Sequence, residues 1–213
     1  MKIITFYSDS HYEIYKDYFL PSYEKYLYNH KLISKKIEQI SPTGEYESLG
    51  FDYVMLEKIN LIIDNIDIND DSILVYADCD TQFFNDIKVD IGDYDILFQN
   101  DFNSNCAGFF IAKQNKKVLD FFIDVKERFI RSMNGTIHDQ VIINILLSEG
   151  YDIKNGLLPS NEFWTVAFST NGHHWKGQDI IVPNEIIMHH ANFTLGIESK
   201  IKLLKLVKNK KNI

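Results

Sequence analysis

The stretch Ser72-Ile73-Leu74-Val75-Tyr76-Ala77-Asp78-Cys79-Asp80 decides the fold. Ile73 to Tyr76 are strong strand formers with almost no polar interruption. That is the pattern of a central parallel strand covered on both faces. Two carboxylates, one residue apart, follow where the strand leaves its sheet. Ligands in open α/β sheets bind beyond the carboxyl ends of such strands. An Asp-x-Asp there offers hard oxygen ligands to Mn²⁺ or Mg²⁺, and the ion can hold a diphosphate. Asp is also common in turns, so the motif takes its meaning from the rest of the chain.

Upstream, Lys2 to Ser8 reads as a strand, and Asp9 or Ser10 can cap the helix that follows, with Pro21 breaking or restarting it. Leu32 to Ile40 reads as a second strand and Ser41 to Gly44 as a turn. Phe51 to Ile66 carries Val54, Met55, Ile59, Ile62, Ile63 and Ile66 at helical spacing. Residues 1–80 thus read β-α-β-α-β, which implies parallel strands and right-handed crossovers. Downstream, Tyr94 to Gln99 and Ala107 to Ala112 are strand candidates. Val118 to Met133 and Asp139 to Ser148 are helices, the second stopped by Gly150. Ile180 to Pro183 and Ile186 to His190 read as short late strands. Ile197 to Val207 reads as a final helix. The basic end, Lys208 to Lys211, is either a frayed terminus or the start of a linker to a further domain.

With 213 residues the chain is long enough for one domain with a sizeable core. The formal net charge of -8 argues against a nucleic-acid binder, which shows a basic face. A phosphate-bearing ligand stays open, because a metal supplies positive charge locally. Two cysteines, Cys79 and Cys106, make no disulfide framework, and reduced thiols in a cytosolic enzyme are the simplest reading. No apolar run reaches the roughly 18 residues of a transmembrane helix, and Met1 to Tyr7 is too short and aromatic for a signal peptide. Abundant Ile, Asn, Lys and Tyr suggest an AT-rich genome, bacterial or viral. A cytoplasmic protein is expected, in the host cytoplasm if viral.

Four features line up with Asp78 and Asp80. Gly108, inside the strand Asn105 to Ile111, marks either close approach of backbone to a ligand or a tight sheet contact. His138-Asp139-Gln140 opens a helix, where Asp139 either caps it or faces the crevice as a catalytic carboxylate. His190, Gly196 and Lys200 have the spacing of a metal-diphosphate site: an imidazole ligand, a backbone approach and an ammonium. Lys58, on the polar side of its helix, is either a solvated surface lysine or a partner of Asp78 or the phosphates.

This set, in this order, resembles the nucleotide-diphospho-sugar transferases of the GT-A glycosyltransferase fold, from the Thr5-Phe6-Tyr7 strand to Lys200. The parts that carry the resemblance are Val75-Tyr-Ala-Asp78-Cys-Asp80, Asn105-Cys-Ala-Gly108-Phe-Phe, Asp139-Gln140 and His190-x-Asn192-x-x-x-Gly196-x-x-x-Lys200. It implies one α/β domain over residues 1–213, with a mostly parallel, Rossmann-like central sheet flanked by helices. It implies transfer of a hexosyl or deoxyhexosyl group from a UDP-sugar to a glycan, glycoprotein or glycolipid, with Mn²⁺ or Mg²⁺ as cofactor. Thr5, Phe6 and Tyr7 would then line the base pocket, with Asp9 near the base or ribose. Asp78 would contact ribose or metal, and Asp80 and His190 would ligate the ion. Asn105, Ala107 and Gly108 would border the donor sugar and acceptor, Asp139 and Gln140 would face the reacting sugar, and Gly196 and Lys200 would hold the diphosphate. The resemblance leans toward retention at the anomeric carbon.

Two departures stand out. His189 sits beside His190, so the ligand assignment rests on spacing to Asn192, Gly196 and Lys200. The chain is also short, which leaves acceptor choice to loops such as Asn161 to Gly177, with Phe163, Trp164, His173, His174 and Trp175 as sugar-stacking or core residues. A nucleotidyltransferase ranks lower, since Ser8-Asp9-Ser10-His11-Tyr12 holds no Gly and no Arg. An Asp-x-Asp phosphatase would carry its motif on an earlier strand. A non-catalytic sugar-nucleotide-binding domain would have no need of Asp78, Asp80, Asp139 and His190 together.

Overall fold

A computed structural model describes residues 1–42, 44, 48–133 and 138–211. Thr43, within the expected turn Ser41 to Gly44, lies outside the described residues. Strand β1, Lys2–Tyr7, is followed by a 3₁₀ turn, Asp9–His11, and a helical run: α1 (Tyr12–Ile14), a π-helical turn (Tyr15–Phe19) and α2 (Leu20–Tyr26). Pro21 lies in the first turn of α2 and has no N–H to return to the preceding turn. The wider π turn takes up that break, with Leu20 N–H reaching back to Tyr15 O. Strand β2, Lys31–Lys36, is shorter than expected because its partner β1 ends at Tyr7, whose carbonyl accepts from Ile37 N–H at 2.9 Å as the last bond of the pair. Helix α3, Phe51–Asn65, then leads into β3, Ile73–Ala77.

After β3 the chain turns through Asp78 and Asp80 into β4, Thr81–Phe83. Next come β5 (Ile96–Asn100), β6 (Asn105–Lys113), α4 (Lys116–Ser132), α5 (Asp139–Ser148) and β7 (Asn155–Leu157). Strand β8 (Phe163–Thr165), α6 (Ala167–Thr170), β9 (Met188–His190) and α7 (Ile197–Lys210) complete the order. Among the described residues the main sheet runs β2-β1-β3-β6-β5-β7, and a smaller sheet runs β4-β9-β8. The Asp-x-Asp turn is therefore the crossing from one sheet to the other.

The main sheet is mostly parallel, but β3 is not flanked by parallel strands on both sides. It pairs parallel with β1 and antiparallel with β6. Strands β5 and β6 are joined by four residues, 101–104, too few for a crossover, so they run antiparallel and carry β6 in reversed beside β3. Four strands, β4, β7, β8 and β9, have three residues each, and the first three escape a periodicity reading. Ile180 to Pro183 is not a strand: Pro183 lacks a donor and Ile181 is exposed, although Ile180 is buried. The basic end is helical through Lys210, held by Lys210 to Asp179 at 2.8 Å and by Lys211 Nζ to Asn184 O at 2.7 Å.

Helices α3, α4 and α5 cover one face of the main sheet, packing Ile59, Ile62, Phe122, Val125 and Ile143 onto Tyr76, Phe98 and Phe110. The other face packs on the π-turn and second-sheet residues Phe19, Phe83 and Phe163. Phe110 is the hub of the first core, with ring centroids 5.5 Å from Tyr76, 5.1 Å from Phe122 and 5.8 Å from Phe98. Phe110→Ala should cost about 3–5 kcal/mol of unfolding free energy, read from denaturant titration. A loss under about 1 kcal/mol, the low end for buried truncations, would show that the sheet collapses to fill the space.

Candidate active site

A cleft of about 810 Å³ opens at the carboxyl ends of β1 and β3, where the two sheets meet. Asp78, Asp80 and His190 converge in it, offering ligand atoms within 4.8 Å of one another. His190 Nε2 lies 3.2 Å from Asp80 and 3.9 Å from Asp78. The imidazole is aimed from behind: its Nδ1 lies 2.9 Å from Gln99 Oε1, an atom that can only accept. Nδ1 therefore carries a proton, and Nε2 is the atom left for a ligand.

Gly108 permits this convergence. A Cβ there would stand 2.3 Å from His190 Cε1 and 2.6 Å from Asp78 Oδ2. A bulge in β6 brings the backbone so near: pairing with β5 jumps from Phe98 opposite Phe110 to Gln99 opposite Cys106. The freed backbone is used locally. Gly108 O accepts from Asp78 N–H at 2.7 Å, and Ala107 N–H donates to Gln140 Oε1 at 3.1 Å.

Lys58 is only 3% exposed, so the polar face expected of α3 is buried here. Its ammonium lies 3.0 Å from Asp139 and 3.5 Å from Asp78. Burial opposes its charge, but Asp139 and Asp78 outweigh that and hold its pKa above the ordinary lysine value. Asp139 opens α5 but caps nothing; the N-cap residue is His138, and Asp139 turns instead to Lys58. Lys200 is a close ion-pair partner of Asp80. Burial would raise the Asp80 pKa, yet Lys200 and His190 hold it well below the usual carboxylate range. Burial likewise disfavours charge on His190, yet Asp80 and Cys106 hold its pKa well above 6.5. Both thiols are buried and unpaired, and burial raises their pKa values, which makes them poor nucleophiles.

Phe6, Tyr7, Ala107, Gln140, Gly196 and Lys200 border the same cleft. Thr5 and Asn105 do not. Thr5 lies two residues back from the end of β1 and is buried in the sheet. Asn105 is turned toward α5 and bonded to Asn144 through both its N–H and its side-chain amide. Asp9 lies outside as well, paired with Lys36 at 2.6 Å. In the expected acceptor loop, Phe163, Trp164 and Trp175 are core residues, while His174 reaches the cleft. Asp101, which the sequence reading missed, also lines the cleft, with Oδ2 accepting from Gln140 Nε2 at 2.8 Å and Oδ1 from Asn192 Nδ2 at 2.6 Å. Its neighbours Asn103 and Ser104 read as turn residues, and no local signal marks it.

A family model described as nucleotide-diphospho-sugar transferase matches residues 21–204. The curated proteins contain no match. Among solved structures, a glycosyltransferase involved in glycosylation of the major capsid of PBCV-1 shares 11% identity at a TM-score of 0.66, over 97% of this chain and 98% of that one. The galactosyltransferase LgtC, in complex with donor and acceptor sugar analogues, shares 11% at 0.56, over 89% and 86%. Apo GlyE from Streptococcus pneumoniae TIGR4 shares 14% at 0.60, with 98% of this chain spanning 62% of that one. These likenesses are of fold, and the fold is that of GT-A glycosyltransferases. With the family model spanning most of the chain, the protein belongs to the nucleotide-diphospho-sugar transferases.

Proposed function

We propose that this glycosyltransferase moves a sugar from a UDP-sugar to a hydroxyl of a glycan, glycoprotein or glycolipid, with Mn²⁺ or Mg²⁺ held by Asp78, Asp80 and His190. The observation that carries this reading is one cleft holding a hard oxygen–nitrogen donor set, the Lys200 ammonium and the Lys58–Asp139 pair together. The donor set fits a divalent ion of this class: two carboxylates and an imidazole whose Nε2 is left to ligate. When bound, the ion supplies a Lewis acid that stabilises negative charge on the leaving diphosphate.

The other residues take roles from their places. Lys200 neutralises a diphosphate oxygen as a point charge. Gly196, at φ +75°, opens the 14-residue helix α7, whose first N–H groups favour an anion. Phe6 and Tyr7 border the nucleoside, and Ala107 and Gly108 the donor sugar. As the glycosidic bond breaks, positive charge builds on the sugar in an oxocarbenium-like transition state. Asp139, fixed by Lys58 at 3.0 Å, and the Gln140 carbonyl oxygen stabilise that charge. Such a role goes with retention at the anomeric carbon. Two buried, unpaired thiols suit a reducing compartment such as the cytoplasm. No helix among the described residues is long and apolar enough to cross a membrane.

Calorimetric titration of UDP and nucleotide sugars, with Mn²⁺ and then with EDTA, tests the reading. Metal-dependent binding of one nucleotide sugar supports it; binding of none, with or without metal, refutes it. Asp80→Ala should abolish the metal-dependent part while the protein stays folded, and unchanged UDP affinity in Mn²⁺ would remove Asp80 from the metal site.

The two adjacent histidines should separate in activity. His190→Ala is expected to lower donor turnover by about 10²-fold or more, in the range for lost metal-site residues. His189→Ala should act mainly on stability, because His189 is fully buried, bonded to Gln82 at 3.0 Å, and pushed by burial down to a pKa of about 3. The reverse ranking in turnover would mean the ligand was misassigned.

Lys58→Met leaves Asp78 and Asp139 without their cation and should cost about 3–5 kcal/mol of stability, as when one partner of a buried pair is removed. Denaturant midpoints equal to those of the parent would show that water reaches the pair and solvates it.

A further inference from the structure

The strongest unused feature is the polar chain that runs along the wall of the cleft from β8 to β6. Thr165 donates its hydroxyl proton to Asn192 Oδ1, and Asn192 Nδ2 donates to Asp101 Oδ1 at 2.6 Å. Asp101 Oδ2 accepts from Gln140 Nε2 at 2.8 Å, and Gln140 Oε1 accepts from Ala107 N–H at 3.1 Å. An amide side chain has one accepting and one donating end, which are hard to tell apart by shape. Here the two groups that flank Gln140, the Ala107 N–H and the Asp101 carboxylate, settle it. A backbone N–H can only donate, and an ionised carboxylate can only accept. The Gln140 amide therefore has one satisfied orientation, and Asp101 is the group that enforces it.

That orientation bears on the chemistry. Gln140 lines the cleft, and Oε1 has a second lone pair beyond the one given to Ala107. A carbonyl oxygen at that point places the negative end of the amide dipole toward a sugar that gains positive charge. A flipped amide presents NH₂ and disfavours the same charge. Asp101 also holds Asn192, two residues after His190, so it ties the start of α5 to the segment that carries the imidazole. The hairpin supports the position: Asp101 N–H donates to Ser104 O at 2.8 Å, and Phe102 takes φ +67° to close the turn.

We propose that Asp101 is a positioning residue for glycosyl transfer, which fixes the Gln140 amide with its carbonyl oxygen toward the reacting sugar. This rests on the transferase reading above, and it adds a residue that touches no metal ligand directly. It predicts a donor–acceptor logic that a merely structural carboxylate would not show. Asp101→Asn can keep a carbonyl for Asn192, but then turns an NH₂ toward the NH₂ of Gln140. In that placement the Gln140 amide flips and loses Ala107, or loses its partner; in the reverse placement Asn192 flips instead and the buried Thr165 hydroxyl loses its acceptor. Adding Gln140→Glu restores the complement: the new carboxylate accepts from Ala107 N–H and from the side-chain amide that the first substitution introduces. Gln140→Glu alone sets two carboxylates against each other.

The experiment is a double-mutant cycle of Asp101→Asn and Gln140→Glu. UDP release from UDP-glucose, UDP-galactose and UDP-N-acetylglucosamine is followed for turnover, and UDP binding in Mn²⁺ is followed by calorimetry. Asp101→Asn should lower kcat by about 10²-fold, the scale set by small losses of alignment. Its UDP affinity should stay within about twofold, as for a site whose contacts are untouched. The double variant should turn over at least about tenfold faster than the product of the two single effects, the signature of coupled neighbours. Additive single effects, unchanged kcat in Asp101→Asn, or loss of UDP affinity in step with kcat would each overturn the assignment. If the parent protein binds no UDP, or releases UDP from none of the three donors, the transferase reading fails first and this assignment falls with it.

Discussion

Four carboxylates, Asp78, Asp80, Asp101 and Asp139, face a single cleft, and like charges so gathered repel. At an effective dielectric of about 20, two unit charges 4 Å apart repel by about 4 kcal/mol. The chain answers each carboxylate with a partner from a different element. Lys58 on α3 lies between Asp78 and Asp139. Lys200 on α7 pairs with Asp80, and His190 on β9 approaches both residues of the Asp-x-Asp turn. Asp101 is held by two amides instead of a cation. Helices α3 and α7 are thus tied to the strand ends by charge as well as by packing. Removing one partner strands a charge, which is why such a site resists single substitutions more than its surface would suggest.

Backbone geometry makes that crowding possible. The bulge in β6 releases Ala107 and Gly108 from regular pairing just where β3 ends in Asp78. One released N–H holds Gln140, one released carbonyl holds Asp78, and the missing side chain of Gly108 admits His190. A regular strand would have directed those groups into the ladder with β5. The turn at Asp78 to Asp80 does the matching work on the other side, passing the chain from the main sheet to the small one. Since β4 pairs with β9, the register Thr81 opposite His190 sets the imidazole beside Asp80.

What could be read from the amino acids alone follows from how local each signal is. Strand β3 was legible because four apolar residues run together, and the end of α5 because Gly150, at φ +82°, supplies a stop just past Ser148. The direction of β6 was not, since it depends on a four-residue hairpin and not on the composition of the strand. Lys58 stayed open between a solvated surface residue and a partner of Asp78 or the phosphates, because a buried lysine and a solvated one leave the same mark in helical periodicity. Its partners, Asp78 and Asp139, lie far along the chain. Asp101 was invisible for a related reason: an aspartate in a tight turn needs no partner to account for it. Thr5 erred the other way. A strand end was legible, but which of its residues reach past the sheet depends on where the neighbouring strands stop.

The pair His189–His190 shows how little sequence distance is needed to separate structure from chemistry. Successive side chains on a strand point to opposite faces, so two adjacent imidazoles must enter different surroundings. His189 goes into the small-sheet core, 5.2 Å from the Trp164 ring, and burial keeps it neutral. Its Nδ1 meets the Gln82 amide, and that amide also donates to Leu204 O on α7. His190 goes to the cleft, where Asp80 draws its pKa upward against the same burial. The two environments push one residue type in opposite directions, and only the second leaves a ring nitrogen among carboxylates. A shift of register by one residue would exchange the two roles and bury the charge-bearing face. The pairing of β9 between β4 and β8, three residues on each side, is therefore as much a part of the site as the Asp78, Asp80 and His190 side chains themselves.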